Sequence, residues 1–297
     1  MKSSIIIPNY NGEDLLKENL SAVFVAKDLE ANKILEVIIV DNGSSDGSID
    51  YIKRNFPEVR LIKHKINRGF SAAVNTGARF AKGDLLVLLN TDVKPEKDFL
   101  VNTLSHFANE KIFGVSLHEK GYGPSIGLFK DGFIVHEPGA EGNSKQYTFW
   151  VSGGSGVFRR SDWMKLGGMD EKLLSPAYWE DLDLCYRALK RGLRLIWEPN
   201  SKVVHNHEST VLKFPKDYFQ KIRERNQLLF IWKNLTSKSL FKKHLLGLVR
   251  RVLKGPGYIR IIFMALLRFR DLARQRNKEI KETWVSDEAI FSSFNNK

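Results

Sequence analysis

Cysteine is nearly missing from this sequence: Cys185 is the only one among 297 residues. An intramolecular disulfide is therefore excluded, which fits a reducing compartment. Long hydrophobic runs are missing too. No apolar stretch approaches the roughly 20 residues that a spanning helix needs. The apolar opening Ile5-Ile6-Ile7 is stopped by Pro8 and Asn9, too early for a signal peptide. The expected location is the cytoplasm. HEXXH, P-loop and zinc-type cysteine signatures are absent, as are internal repeats and low-complexity tracts. A hydrophobic content of 42% with 27% charged residues nevertheless describes a folded protein, long enough for one large α/β domain or two modest ones.

Acidic residues are scarce in one place. Lys233–Lys281 holds 14 Lys and Arg against 2 Asp and Glu, a net +12 out of +13 for the whole chain. The remainder is nearly neutral, with 33 basic and 32 acidic residues. No basic groove runs over the body, so no nucleic-acid partner is expected.

What is present alternates. Apolar, β-branched runs at Ser4–Ile7, Val37–Val40, Val59–Ile62 and Leu85–Leu89 predict strands. Helical stripes separate them: Leu15, Leu16, Leu20, Val23 and Phe24, then Ile49, Ile52 and Phe56, then the small-residue segment Ser71–Ala81. This order predicts a mostly parallel sheet flanked by helices on both faces. Ligands of such sheets bind beyond the carboxyl ends of the strands. Those ends carry Pro8-Asn9-Tyr10-Asn11, Asp41-Asn42-Gly43 and Asn90-Thr91-Asp92. Further on, His118–Gln146 reads as loops and short strands. Ser161 is placed to cap a helix Asp162–Leu166 that Gly167 ends. Trp179–Arg191 reads as a helix, Leu193–Trp197 and Lys202–Val204 as two short strands, and the chain from about Tyr218 as helical.

Several of these positions can do chemistry, each with a plainer alternative. Asp41 can accept a hydrogen bond from a nucleobase or ribose, or simply shape a turn. Asp92 suits a divalent ion that bridges a diphosphate, since such ions take only one or two protein carboxylates; it too can be a turn residue. Ser152-Gly153-Gly154-Ser155-Gly156 permits close backbone approach to a ligand, or a bulge. Glu180 and Asp181 at a helix start favour the helix dipole, or supply a general base. The dipole lowers the pKa of Asp181 unless burial offsets it. His205 and His207 flank Asn206 on an extended chain, so at most one faces a shared site; by itself either reads better as a structural histidine than as a ligand.

In this order the pieces resemble the family 2 glycosyltransferases of GT-A fold, and within them the rhamnosyltransferase-like enzymes of bacterial surface polysaccharide assembly. The carrying residues are Ile5–Gly12, Val40–Ser48, Asn67-Arg68-Gly69-Phe70, Asn75-Thr76-Gly77, Leu89-Asn90-Thr91-Asp92, Gly167–Glu171, Glu180–Cys185 and Val204-His205. The match covers roughly residues 1–235. It implies residues 1–95 as a nucleotide-sugar-binding half and 96–217 as the acceptor-binding and catalytic half of one domain; a basic amphipathic helical tail over 218–297 follows. It implies that Pro8, Asn11 and Asp41 line the nucleoside pocket, with Arg68, Asn75 and Asn90 also on the donor side. Asp92 corresponds to the second acid of the D-x-D metal motif, whose first position is Asn90 here, and His205 to a histidine that helps hold Mg²⁺ or Mn²⁺. Asp181 corresponds to the general base, and Gly153, Gly154 and Glu180 lie toward the acceptor. The implied reaction is inverting transfer of a sugar from a dTDP- or UDP-sugar, dTDP-rhamnose among them, to a hydroxyl of a glycan or lipid-linked acceptor. The sequence leaves the oligomeric state open.

The tail stands outside that resemblance. Phe241, Leu245, Leu248, Val249 and Val252 form an apolar stripe opposed by Lys242, Lys243, Arg250, Arg251 and Lys254. Basic amphipathic helices of this kind suit an anionic membrane surface, here the inner face of the cell membrane; the alternatives are packing on the body or a dimer interface. On the membrane reading, a chain truncated after Thr236 stays soluble and loses its capture by anionic vesicles. Two competing functions remain. A sugar nucleotidyltransferase would share the sheet and the metal but lacks a basic Gly-rich triphosphate signature near the N-terminus. A lapsed nucleotide-sugar-binding protein is favoured only by Asn90.

Overall fold

The structure, a computed structural model, describes residues 1–206 and 216–295. Its first half is built from β1 (Ser3–Asn9), α1 (Glu13–Asp28), β2 (Ile34–Asp41), α2 (Ser48–Asn55), β3 (Arg60–Lys63), α3 (Phe70–Phe80) and β4 (Leu85–Leu89). The strands pair in the order β3-β2-β1-β4, all parallel. Their continuous apolar runs follow from burial on both faces. Ile5 and Ile7 pack with Leu16, Leu20 and Val23 of α1. Ile6 points the other way, toward Ala73, Val74 and Ala78 of α3. The small residues of α3 let it lie close to β1: a Cβ on Gly77 would stand 2.5 Å from Ile6 Cγ2.

The second half contributes β5 (Val93–Pro95), α4 (Val101–His106), β6 (Ile112–Glu119), β7 (Ser125–Lys130), β8 (Phe133–Pro138), β9 (Gln146–Tyr147), β10 (Ser155–Arg159), α5 (Arg160–Leu166), α6 (Glu180–Lys190) and β11 (Arg194–His205). Here the sheet becomes mixed. β10 inserts antiparallel between β4 and β6, and β11 runs parallel to β6 but antiparallel to β5. The expectation of a mostly parallel sheet therefore describes the first half best. The two short strands expected around residues 193–204 are one strand, β11, with a register irregularity between Glu198 and Lys202. Ser161 lies inside α5, which has no side-chain cap, whereas Gly167 does close it at φ +83°.

The remaining helices are α7 (Lys216–Asn234), α8 (Lys238–Lys254), α9 (Ile259–Leu266), α10 (Phe269–Glu282) and α11 (Asp287–Asn295). They do not hang free. Leu228, Leu229, Phe230 and Ile231 of α7, Leu248 of α8, Leu272 of α10 and Phe291 of α11 share one core with the β7–β8 hairpin and with Leu182 and Tyr186 of α6. Asp287, fully buried, accepts hydrogen bonds from Tyr186 Oη (2.6 Å), Lys190 Nζ (3.0 Å) and the backbone N–H groups of Thr236 (2.8 Å) and Ser237 (2.7 Å). A chain ending at Thr236 loses that anchor and uncovers part of the core, which speaks against the expectation that such a truncation stays soluble. The stripe read from the sequence also divides: Leu248, Phe241 and Val252 face the core, whereas Leu245 and Val249 are exposed. The boundary expected at 217/218 falls inside α7. Among the described residues no helix is long and apolar enough to cross a membrane.

Candidate active site

A cavity of about 390 Å³ opens beyond the carboxyl ends of β1 and β4. Pro8, Asn9 and Asn11 line it from β1, Asn90 and Asp92 from β4, Gly153 and Gly154 from the turn before β10, and Glu180 and Asp181 from the start of α6. Phe70, Tyr178 and Phe219 add aromatic walls. The strand-end rule for α/β sheets thus locates the cavity.

The β1 and β2 ends are stitched together. Asn11, at φ +49°, accepts a hydrogen bond from Ser45 N (2.8 Å), and its own N–H donates to Ser44 Oγ (2.9 Å). Asp41 sits one layer below the cavity. It is almost wholly buried, accepting from Asn9 Nδ2 (2.9 Å) and Ser44 N (3.0 Å), and does not line the cavity itself. Asn9, which the sequence reading passed over, stands between Asp41 and the cavity. Its Oδ1 is buried without a hydrogen-bond partner among the described residues. Two other donor-side expectations lie away from the cavity. Arg68 reaches Glu171 at 3.4 Å. Asn75 is spent on clamping a loop: its Nδ2 donates to Met169 O (2.8 Å) and Glu171 Oε1 (3.0 Å), and its Oδ1 accepts from Met169 N (3.0 Å). Neither lines the cavity itself, although Asn67 and Gly69 on either side of Arg68 do.

At the β4 end, His205 Nε2 lies 3.2 Å from Asp92 Oδ1, and its Nδ1 lies 3.0 Å from Glu119 Oε1. Glu119 also accepts from Ser155 Oγ. Burial alone would lower the His205 pKa. The hydrogen bonds to Asp92 and Glu119 outweigh it and raise the value to about 9. Two carboxylates around one imidazole call for a positive charge, which either a proton or a metal ion supplies. A carboxylate on the far ring nitrogen is the usual support of a metal-ligating histidine, because it fixes the tautomer that leaves Nε2 free. Among the described residues no three His, Cys, Asp or Glu side chains surround one point. A cation held by Asp92 and His205 would need diphosphate oxygens and water for its remaining positions. Close approach here depends on Gly154, where a Cβ would come within 2.6 Å of Asn90 Nδ2 and 3.2 Å of His205 Cε1. His207 lies outside the described residues.

Opposite stands the start of α6. Tyr178 and Trp179 both have positive φ, +72° and +75°, a conformation costly for bulky side chains. Asn226 of α7 holds this turn, its Nδ2 donating to the carbonyls of Leu174 (2.6 Å), Ala177 (2.9 Å) and Tyr178 (3.1 Å). Trp179 stacks on Phe230 at 5.2 Å. The strained turn delivers two adjacent carboxyls to the cavity wall. Asp181 accepts from Gly153 N (3.1 Å) and Leu182 N (2.8 Å). Burial raises its pKa despite these lowering hydrogen bonds, so burial prevails over the helix end. Glu180 is raised well above the carboxylate range, by burial first and then by the charges of Asp181 and Asp183. Its Oε2 is buried with no hydrogen-bond partner among the described residues.

The family model described as glycosyl transferase family 2 matches residues 4–161, more than half of the chain. The chain belongs to glycosyl transferase family 2. The pre-mycofactocin glycosyltransferase of Mycobacterium tuberculosis (strain H37Rv) is 30% identical over 184 residues, covering 59% of this chain and 38% of that protein. This family 2 chain thus spans well under half the length of that curated relative. The N-acetylglucosaminyl-diphospho-decaprenol L-rhamnosyltransferase of the same strain is 24% identical over 234 residues, 67% of this chain and 76% of the relative. Among solved structures, GalNAc-T7 with UDP, GalNAc and Mn²⁺ superposes with a TM-score of 0.63 at 16% identity, over 80% of this chain and 48% of that one. That likeness bears on the fold alone, which is GT-A.

Proposed function

We propose that this family 2 member transfers a sugar from a nucleoside diphosphate to an acceptor hydroxyl with inversion at the anomeric carbon. The observation that carries the reading is the arrangement around one cavity: Asp92 lines it on the β4 side, with His205 behind at 3.2 Å and not itself in the lining, and a carboxylate, Asp181, lines it on the α6 side. A donor whose diphosphate lies toward Asp92 presents its anomeric carbon between the two. Asp181 takes the proton of the attacking hydroxyl as the new C–O bond forms. The anomeric carbon–phosphate oxygen bond breaks, and the nucleoside diphosphate leaves with the electron pair. Gly153 N–H and Leu182 N–H hold the Asp181 carboxylate in place while it acts. Mg²⁺ or Mn²⁺ bound at Asp92 and His205 would neutralise charge on the leaving diphosphate as a Lewis acid.

On the donor side, Pro8, Asn9, Asn11 and Asn90 bind the nucleotide. Asp41 acts through Asn9, whose amide it orients beside the cavity. The donor is a UDP- or dTDP-sugar, dTDP-rhamnose included; the printed name of the mycobacterial L-rhamnosyltransferase supports the last. GalNAc-T7, with UDP and Mn²⁺, supports the same donor class. Glu180 faces the acceptor. The printed name of the mycobacterial rhamnosyltransferase supports a lipid-linked or polysaccharide acceptor in glycan synthesis. Residues 1–95 form the donor half of the catalytic domain, and the acceptor half runs from residue 96 into α7, whose Phe219 lines the cavity. The basic helices that follow hold the enzyme on the anionic inner face of a cell membrane.

Calorimetry of UDP and dTDP binding, with and without Mn²⁺, tests this reading. Asp92→Ala should weaken binding in Mn²⁺ and leave the metal-free affinity unchanged. Equal weakening in EDTA would show that Asp92 does not act through a metal.

A further inference from the structure

Beyond the cavity, α8 and α9 carry a second surface. From Lys238 to Arg270 the chain contains nine Lys and Arg and no Asp or Glu. None of the nine forms an ion pair among the described residues, in contrast to the buried Lys190 and Lys233, which do. Interleaved with these cations are apolar side chains turned to solvent. On α8 they are Leu246, Val249 and Leu253, spaced i, i+3 and i+7 along one helical face; Leu253 is 77% exposed. On α9 they are Ile259, Phe263 and Leu267, the last at its C-cap, with Phe263 63% and Leu267 70% exposed. The opposite faces, at Leu248 and at Ile261 and Ala265, are already filled by the core. Packing inside the molecule therefore does not account for the outer stripes.

We propose that these two outer stripes form a membrane-docking face, with Leu246, Val249, Leu253, Ile259, Phe263 and Leu267 entering the headgroup boundary of an anionic lipid surface. Unpaired cations flanking an apolar stripe are complementary to acidic headgroups over acyl chains. An acid-free segment fits this occupant better than a second copy of the same face, because two copies would bring like charges together. The face also lies close to the catalytic cavity. A groove beside this face is lined by Asp217, Gln220 and Glu224 of α7 together with Lys254, Gly255 and Ile261, and Phe219 on the same turns of α7 lines the cavity. Docking thus brings the cavity to a lipid surface, and the acceptor class that follows is a lipid-anchored hydroxyl. This last step rests on the glycosyl-transfer reading; the docking face does not.

Flotation tests the face with vesicles of phosphatidylcholine containing roughly a third phosphatidylglycerol, against phosphatidylcholine alone. The intact protein should float with the acidic vesicles, float little with the neutral ones, and be released by salt. The triple variant Leu246→Ser, Leu253→Ser, Phe263→Ser should lose at least about tenfold in capture. Its unfolding midpoint should stay unchanged, because the three side chains already face water. A second variant, Arg250→Gln with Lys254→Gln and Arg260→Gln, should lose the acidic preference. Undiminished capture by the triple variant overturns the proposal. So does a wild-type protein that ignores acidic vesicles but is dimeric by light scattering and becomes monomeric in the triple variant. UDP binding in Mn²⁺ is read on the same proteins and should be equal in all. If the wild type binds no nucleotide yet floats, the donor reading fails and the docking face stands.

Discussion

The Nδ1 nitrogen of His205 lies 3.0 Å from Oε1 of Glu119, a residue that itself does not line the cavity. Through this contact a strand-end acid on β6 determines which nitrogen His205 offers to Asp92. Glu119→Gln keeps the size of the side chain but weakens its hold on the ring. Supporting carboxylates of this kind are worth about 10–100-fold in metal affinity. The Mn²⁺ concentration that half-saturates nucleotide binding should rise by that order, with nucleotide affinity in EDTA unchanged. Titration of Mn²⁺ at fixed nucleotide measures it.

Glu180 should cost the fold stability. Its pKa in the folded protein is raised above the unfolded value by burial, so at pH values above both, the folded state holds a desolvated charge. At pH values below both, the group is protonated in either state and the cost vanishes. Glu180→Gln should therefore melt above the wild type at neutral pH. The difference should shrink as pH falls and be gone near about pH 4. Thermal melts across that range check the sign.

Asp287 ties the last helix to α6 and to the α7–α8 junction. Asp287→Ala leaves Lys190, fully buried, without its partner. Breaking a buried pair on one side costs about 3–5 kcal/mol. Urea unfolding should show a loss of that order. A cooperative transition retained near the wild-type midpoint would make the tail an independent unit.

The parts legible in the sequence share a physical reason. Strands β1, β2 and β4 are buried on both faces, so they read as unbroken apolar runs, and their polar ends mark the cavity edge. Asp92 and Asp181 stand at a strand end and a helix start, where the local pattern singles them out, whereas His205 is singled out only by the family resemblance. Asn75 and Asp41 are each polar at an expected place yet bonded inward, one to Met169 and the other to Asn9, which the sequence does not show. Glu119 and Asn226 gave no local signal at all, since each acts on a segment more than forty residues away in the chain. On α8 the apolar positions extend around more than one face. Which face is buried is decided by Phe133 and its neighbours in the shared core, not by the periodicity of α8 itself.

The central claim is that Asp181 takes the proton from the acceptor, and Asp181→Asn tests it most directly. The amide keeps the shape and cannot accept that proton. Sugar transfer should fall by about 100-fold or more, while UDP or dTDP affinity in Mn²⁺ stays close to wild type. Because burial raises the Asp181 pKa, the wild-type rate should decline on the acid side at a higher pH than an ordinary aspartate would give. That limb should be absent from the residual rate of the variant. A variant that keeps more than about a tenth of the wild-type rate, a barrier change under ~1.4 kcal/mol, would contradict the assignment.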